Sequence, residues 1–178
     1  MVNLRTKYMG LELKNPIIVA SSGLTKTVDK IIEFESKGAG AVVLKSLFEE
    51  QIMFETNHIM DYPESYNSYP EALDYISNFT KHNSVDEYLK LIRDAKKEVK
   101  IPVFGSINCV SLNEWTSIAR DIEKAGADAL ELNIFIMPSD LNLTGAEHEK
   151  MYFDIIERIK NTIKIPVAIK VGYYFSGL

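Results

Sequence analysis

Two short stretches each occur twice in this chain, and the repetition constrains the fold more than any other feature. KGAGAVVLK at 37–45 aligns with AGADALELN at 125–133, and KIPVFGSIN at 100–108 aligns with KIPVAIKVG at 164–172. The first pair reads as a helix end followed by a strand. Its glycine accommodates the left-handed helix terminus, and the Ala/Val/Leu run suits a strand buried on both faces. The second pair reads as strands entered through Ile-Pro, where proline is tolerated because the first residue of a strand needs no ladder donor.

Amphipathic helices are predicted between these strands. Ser84, Val85, Asp86 and Glu87 fit the capping-box pattern, as do Ser111, Leu112, Asn113 and Glu114, so a helix should follow each. Val85, Leu89, Ile92 and Ala95 keep helical spacing after the first, and Trp115, Ile118, Ala119 and Ile122 after the second. A third helix is predicted from about Ala146 to Ile159, with Met151, Ile155, Ile156 and Ile159 on one face, and a shorter one from Val28 to Ser36. Strands fall near 16–20, 41–45, 102–107, 128–133 and 166–171. Residues 47–83 read as a long polar and aromatic loop around YPESYNSYPEALDY, a length usually given to lids or partner surfaces.

Helices alternating with buried strands imply a parallel sheet, doubly wound or closed into a barrel, and the repeats favour a (β/α)8 TIM barrel. A complete barrel takes ~250 residues. With about five strands in 178 residues, the chain reads as one domain, 1–178, forming the N-terminal part of such a barrel. Its two outer strands would then be edges that further C-terminal strands or a second copy must cover, which predicts a homo-oligomer or a longer protein.

Composition excludes several function classes. With 46% hydrophobic and 25% charged residues the chain resembles an ordinary globular domain. A net charge of -5, from 20 basic against 25 acidic residues, argues against a nucleic-acid partner, which would need clustered cations. The single cysteine, Cys109, excludes an intrachain disulfide and a Cys-based zinc site, and His58, His82 and His148 lack ligand spacing, so no metal is expected. MVNLRTKYMGLELKN lacks the apolar core of a signal peptide, and no apolar run is long enough to cross a bilayer. A cytoplasmic protein with a small-molecule substrate and no membrane partner is the expectation.

In a parallel barrel the chemistry lies where the strands end, and here they end in polar residues. The ends are Ser21, Ser22 and Gly23; Lys45 and Ser46; Asn108 and Cys109; Asn133; and Lys170 before Gly172. Serine and asparagine commonly cap or turn a chain after a strand. The lysines are harder to account for, because an ammonium closing an apolar strand needs a charge or a ligand. Glu131, on the same side as Asn133 by strand alternation, is the candidate ion-pair partner. Cations, carboxamides and hydroxyls around one mouth suit a planar ligand with carbonyl and ring-nitrogen acceptors, and a flavin fits that description.

NPIIVASSG at 15–23, VVLKS at 42–46, GADALELN at 126–133 and IPVAIKV at 165–171 resemble the dihydroorotate dehydrogenases, FMN-dependent (β/α)8 barrels of pyrimidine synthesis. The resemblance implies that Ala20, Ser21 and Ser22 line FMN and that Lys45 and Ser46 contact its ring. It implies further that Asn108 and Asn133 hydrogen-bond flavin or substrate, that Lys45 and Asn133 meet the substrate, and that Lys170 lies by the pyrimidine edge. Lys14 and Asn15 would end an N-terminal hairpin closing the barrel floor.

The chain departs from the family at its reactive segment. Where the cytosolic enzymes have a stretch like LSCPN, with cysteine as base, this chain has IFIMPSD, one residue longer, with Ile136 and Met137 before Pro138. Neither side chain can take a proton, so the usual base is missing. The family's Asn-x-Met-Gly-Leu-Pro-Asn substrate loop has no good match either; Ser77, Asn78 and Phe79 stand in its region. The chain resembles a dihydroorotate dehydrogenase-like subgroup without the catalytic cysteine. Cys109 is a replacement base in principle, although free cysteines are usually buried and inert. Tyr173, Tyr174 and Phe175 read as packing or a ring wall, and His82 and His148 as solvated loop residues.

The leading expectation is an FMN-dependent dehydrogenase acting on a CH–CH or carbonyl-bearing substrate. The alternatives are a non-catalytic truncated barrel, and a barrel enzyme of phosphorylated metabolites with Lys45 or Lys170 as Schiff-base nucleophile.

Overall fold

The computed structural model describes residues 2–48, 70–108, 112–137, 139–140 and 142–173, with 70–83 and 112–114 described in backbone only. Strands β1 (Thr6–Tyr8) and β2 (Leu11–Leu13) form an antiparallel hairpin. Its turn is Met9 and Gly10, at φ 51° and 82°, and two successive positive-φ residues give the tight turn whose twist matches paired strands. There follow β3 (Ile18–Val19), a 3-10 turn (Gly23–Thr25), α1 (Val28–Ser36), β4 (Ala41–Val43) and β5 (Leu47–Phe48). The remaining elements are α2 (Pro70–Glu98), β6 (Val103–Asn108), α3 (Leu112–Ala125), β7 (Ala129–Ile134), α4 (Gly145–Thr162) and β8 (Val167–Val171). The parallel sheet runs β3-β4-β6-β7-β8, with β5 also on β6. It curls as part of a barrel, with helices on its convex face.

The sequence repeats are repeats of structure. Gly38 and Gly126 terminate α1 and α3 at φ 99° and 96°. In one, Gly38 N–H donates to Glu35 O and Ala39 N–H to Phe34 O; in the other, Gly126 N–H donates to Glu123 O and Ala127 N–H to Ile122 O. Each is the paired closure that satisfies orphan carbonyls at a helix end. The same glutamates then reach the Ile-Pro strands. Glu35 Oε1 accepts from the N–H groups of Lys100 and Ile101 at 2.8 and 3.0 Å, and Glu123 Oε1 from those of Lys164 and Ile165 at 2.6 and 3.1 Å. The helix that precedes one strand thus clamps the entry of the next strand along the sheet, twice over.

Strand alternation sorts the apolar residues into two layers. Val42, Leu44, Val103, Ile107, Leu130, Leu132 and Ile134 point outward, onto Ile31, Ile92, Trp115, Ile122, Ile155 and Ile159 of the helices. Ala41, Val43, Phe104 and Ala129 point inward and are covered by Leu13, with Met9 and Leu11 packed alongside, so the hairpin closes the barrel floor. Asn15 ties that floor down, donating from Nδ2 to Gly38 O at 2.8 Å and accepting from Ile17 N–H at 2.9 Å. At the far edge β8 leaves Ile169 and Val171 41% and 43% exposed.

Three expectations change. Helix α2 begins at Pro70, not at Ser84, which lies inside it; proline at a first helical position loses nothing, and PEALDY supplies helix formers. Much of the expected 47–83 loop is therefore helix, because a polar helix and a polar loop look alike in composition; residues 49–69 lie outside the described set. Ser77, Asn78 and Phe79 fall in α2, their side chains undescribed. Third, His148 is neither in a loop nor solvated: it is 4% exposed in α4, and its Nδ1 has no hydrogen-bond partner among the described residues. Helix α4 also starts one step earlier than expected, at a capping box in which Glu147 N–H donates to Thr144 Oγ1 and Thr144 N–H to Glu147 Oε2.

Candidate active site at the carboxyl ends of the strands

The backbone of β4 creates the site by leaving the ladder. Val43 pairs with Phe104 and Leu47 with Ile107, so residues 44–46 stand opposite only 105 and 106. This extra residue is a bulge, which bends a strand and re-aims side chains. Strict alternation from Ala41 and Val43 would turn Ser46 outward; the bulge instead brings its hydroxyl onto Ser106, an inward-facing residue, at 2.7 Å. Tyr88 of α2 fills the gap in the ladder. Its hydroxyl donates to Ser106 O at 3.0 Å and accepts from Ser106 N–H at 2.7 Å. Burial pushes the Tyr88 phenol well above its ordinary pKa; the Ser106 backbone bond opposes that rise and the Glu131 charge adds to it.

A polar chain crosses the barrel wall from there. Ser21 Oγ lies 3.0 Å from Ser46 Oγ and accepts from Ser46 N–H at 2.9 Å. Ser106 Oγ donates to Glu131 Oε1 at 3.1 Å, and Glu131 Oε1 lies 3.4 Å from Lys170 Nζ. Five residues from five chain segments are joined. The Glu131 side chain is 18% exposed and Lys170 48%, so the carboxylate is the inner member of the pair. Below it, Tyr8, Met9, Ile18, Ala20, Val43, Phe104, Glu131 and Ala168 line a cavity of about 180 Å³ between floor and mouth.

The other expected residues fall around this chain. Asn133 pairs with Lys170 across β7 and β8, and Asn108 ends β6; both are half-buried, and neither amide hydrogen-bonds a described residue. Lys45 is half-buried, its Nζ 6.0 Å over the Phe48 ring. Ser22 caps the 3-10 turn, accepting from Leu24 N–H at 3.3 Å, which is the ordinary turn role of such a serine. Ala20 borders the cavity. Lys170 has the carboxylate partner that its strand position demanded.

The IFIMPSD segment leads away from the mouth. Ile136 packs on the outer core and its N–H donates to the Tyr152 hydroxyl at 3.2 Å, while Met137 is 61% exposed. Phe135 lies against Gly172, where an added Cβ would sit 2.8 Å from the ring. Tyr173 is 86% exposed. Cys109, Ser111, Pro138, Tyr174, Phe175 and His58 lie outside the described residues, as does the His82 side chain.

Ser106 and Tyr88 are the residues that sequence reasoning missed. A hydroxyl two positions before Asn108 in an apolar run was a signal for Ser106. For Tyr88, one more member of an apolar helical stripe, there was none.

Among the described residues no helix is long and apolar enough to cross a membrane, and no group of three or more His, Cys, Asp or Glu could hold a metal. Two solved dihydrodipicolinate synthases share the fold, from Agrobacterium tumefaciens (TM-score 0.51, 16% identity, 85% of this chain and 43% of that one) and from Bacillus anthracis (0.51, 13%, 86% and 44%). The architecture is thus a partial TIM barrel. The catalytic subunit of dihydroorotate dehydrogenase B (NAD(+)) from Thermoplasma volcanium is 29% identical over 100% of this chain and 57% of its own length. The corresponding subunit from Methanocella arvoryzae is 30% identical, covering 91% and 51%. A putative dihydroorotate dehydrogenase A (fumarate) from Aeropyrum pernix is 27% identical, covering 96% and 54%. The chain spans a little over half the length of these relatives. Residues 3–173 match the dihydroorotate dehydrogenase family model, and the chain belongs to that family.

Proposed function

We propose that this protein is an FMN-dependent oxidoreductase that exchanges hydride with a small CH–CH or carbonyl-bearing substrate. The observation that carries the reading is the convergence of Ser21, Ser46, Asn108, Asn133 and Lys170 at the carboxyl end of one curled sheet, in a chain of this family. The polar lining fits a flavin: two half-buried carboxamides with no partner among the described residues, a lysine on the rim, and a chain of serine hydroxyls joined to that lysine through Glu131. Ala20, Ser21, Ser22, Lys45, Ser46, Asn108, Asn133 and Lys170 would hold FMN, with Lys45 and Asn133 also meeting the substrate. A bound flavin supplies hydride chemistry at its N5. The protein's part is to orient the ring through the amides, to set a positive charge at its edge with Lys170, and to keep Glu131 from standing unpaired in the cavity.

Proton transfer at the substrate has no base at Ile136 or Met137. The substrate is accordingly proposed to differ from dihydroorotate, with Cys109 the remaining candidate from the sequence for acid–base work. The single domain 1–178 is proposed to be completed at the β8 edge by further strands or a second copy, and the protein to be cytoplasmic. The name "catalytic subunit" borne by the relatives supports a partner chain.

The test is the absorbance spectrum of the purified full-length protein, with FMN titration of Lys45→Ala. Bound flavin in the native protein, affinity weakened roughly tenfold or more by the substitution, and negligible dihydroorotate turnover are expected; the second follows from a charged hydrogen bond of ~1.5–3 kcal/mol. No flavin would favour the non-catalytic barrel. Borohydride trapping of a carbonyl substrate on Lys45 or Lys170 would instead identify a Schiff-base enzyme.

A further inference from the structure

The order of protons along the serine chain is fixed from one end. An ionised carboxylate only accepts hydrogen bonds, so the Ser106 hydroxyl spends its one proton on Glu131 Oε1, 3.1 Å away. Ser106 Oγ, 2.7 Å from Ser46 Oγ, is left with lone pairs, so the Ser46 hydroxyl donates to it. Ser46 Oγ can then only accept from Ser21, whose hydroxyl lies 3.0 Å away. The Ser21 oxygen also receives Ser46 N–H at 2.9 Å. Tyr88 cannot disturb this order, because its hydroxyl proton goes to Ser106 O and its lone pair to Ser106 N–H. Ser106 and Ser46 have thus committed their only protons toward Glu131, and the Ser21 hydroxyl finds its one acceptor among the described residues in Ser46 Oγ.

We propose that Glu131, acting through Ser106 and the buried Ser46, draws the Ser21 hydroxyl proton inward and makes this wall of the site a hydrogen-bond acceptor, so that the ligand group docking on Ser21 must carry a hydrogen. Three serine hydroxyls would ordinarily be read as donors to carbonyl, phosphate or ring-nitrogen acceptors. The partly buried carboxylate reverses that, and Ser106, which is fully buried, is a positioning residue. The inference deepens the flavin reading and rests on it. Oxidised flavin presents mostly acceptors along its central ring, whereas the reduced ring carries an added N–H. An acceptor-only wall therefore favours the reduced cofactor.

The probe is FMN itself, titrated aerobically and, after dithionite reduction, anaerobically, on the full-length protein and its variants. Ser106→Ala frees the Ser46 proton, and Ser46→Ala frees that of Ser21. Each is expected to lower affinity for reduced FMN relative to oxidised FMN by roughly three- to tenfold, the equivalent of one neutral hydrogen bond. Ser106→Thr, which keeps the hydroxyl, should restore the native ratio. An unchanged ratio in both alanine variants, or equal losses in the two redox states, overturns the proposal. Absence of FMN binding to the native protein would instead defeat the flavin reading, and Ser46→Ala serves where Ser106→Ala does not fold.

Discussion

Glu35→Ala and Glu123→Ala form a matched pair of perturbations, because the two glutamates occupy equivalent places in the repeat. Each carboxylate accepts two backbone N–H bonds, one from an exposed lysine and one from an isoleucine, Ile101 being buried and Ile165 partly so. Removing it leaves the entry of β6 or β8 without an acceptor. A hydrogen bond to a charged group contributes roughly 1.5–3 kcal/mol when shielded from water, and the exposed member of each pair far less, so each variant should lose about 1–2 kcal/mol. Urea unfolding of the full-length protein, followed by circular dichroism, reads the loss as a lower midpoint at constant slope. The clamps close different strands and share no partner, so the double variant should lose the sum within about 0.5 kcal/mol. Glutamine, which keeps one acceptor oxygen, should recover part of the loss at either site. A full loss at one site with none at the other would refute the claim that the two halves are the same structural unit.

Three further outcomes are expected. Gly105→Ala places a Cβ 2.7 Å from Ile122 Cγ2, where β6 and α3 approach, and should cost roughly 1–3 kcal/mol, partly relieved by Ile122→Leu, which lacks that Cγ2 branch, in the same unfolding assay. Asp128→Asn weakens the carboxylate that accepts Val103 N–H at 2.7 Å and pairs with Lys96 at 2.6 Å; a loss of roughly 1–2 kcal/mol is expected, and a smaller one if Lys96→Met is already present. The Glu147 carboxyl is held below its ordinary pKa of 4.5 by the Thr144 backbone and side-chain hydrogen bonds, so its contribution is present above that value and is lost as pH falls through the depressed one. Glu147→Gln should flatten the acid limb of a stability–pH profile below about 4.5 and leave the profile at neutral pH nearly parallel to the native one.

The sequence by itself determined the periodic features of this protein. Gly38 and Gly126 announced helix ends because only glycine relaxes at that φ, and the apolar runs at 41–43, 103–107 and 129–134 announced strands because both their faces are covered. The polar strand ends marked the candidate site: Lys170 and Asn133 break apolar runs near the ends of β8 and β7. Tertiary structure decided everything that depends on departures from period. The bulge at 44–46, which turns Ser46 inward onto Ser106, is invisible in sequence because it belongs to the pairing of two strands and not to either one. Tyr88 fills the resulting gap from a helix whose start could not be told from a loop, since a polar stretch carries no apolar period. His148 is 4% exposed, a burial that no local sequence pattern reports. The direction of the serine chain, finally, depends on Glu131 standing within reach of Ser106 across two strands, a contact set by register.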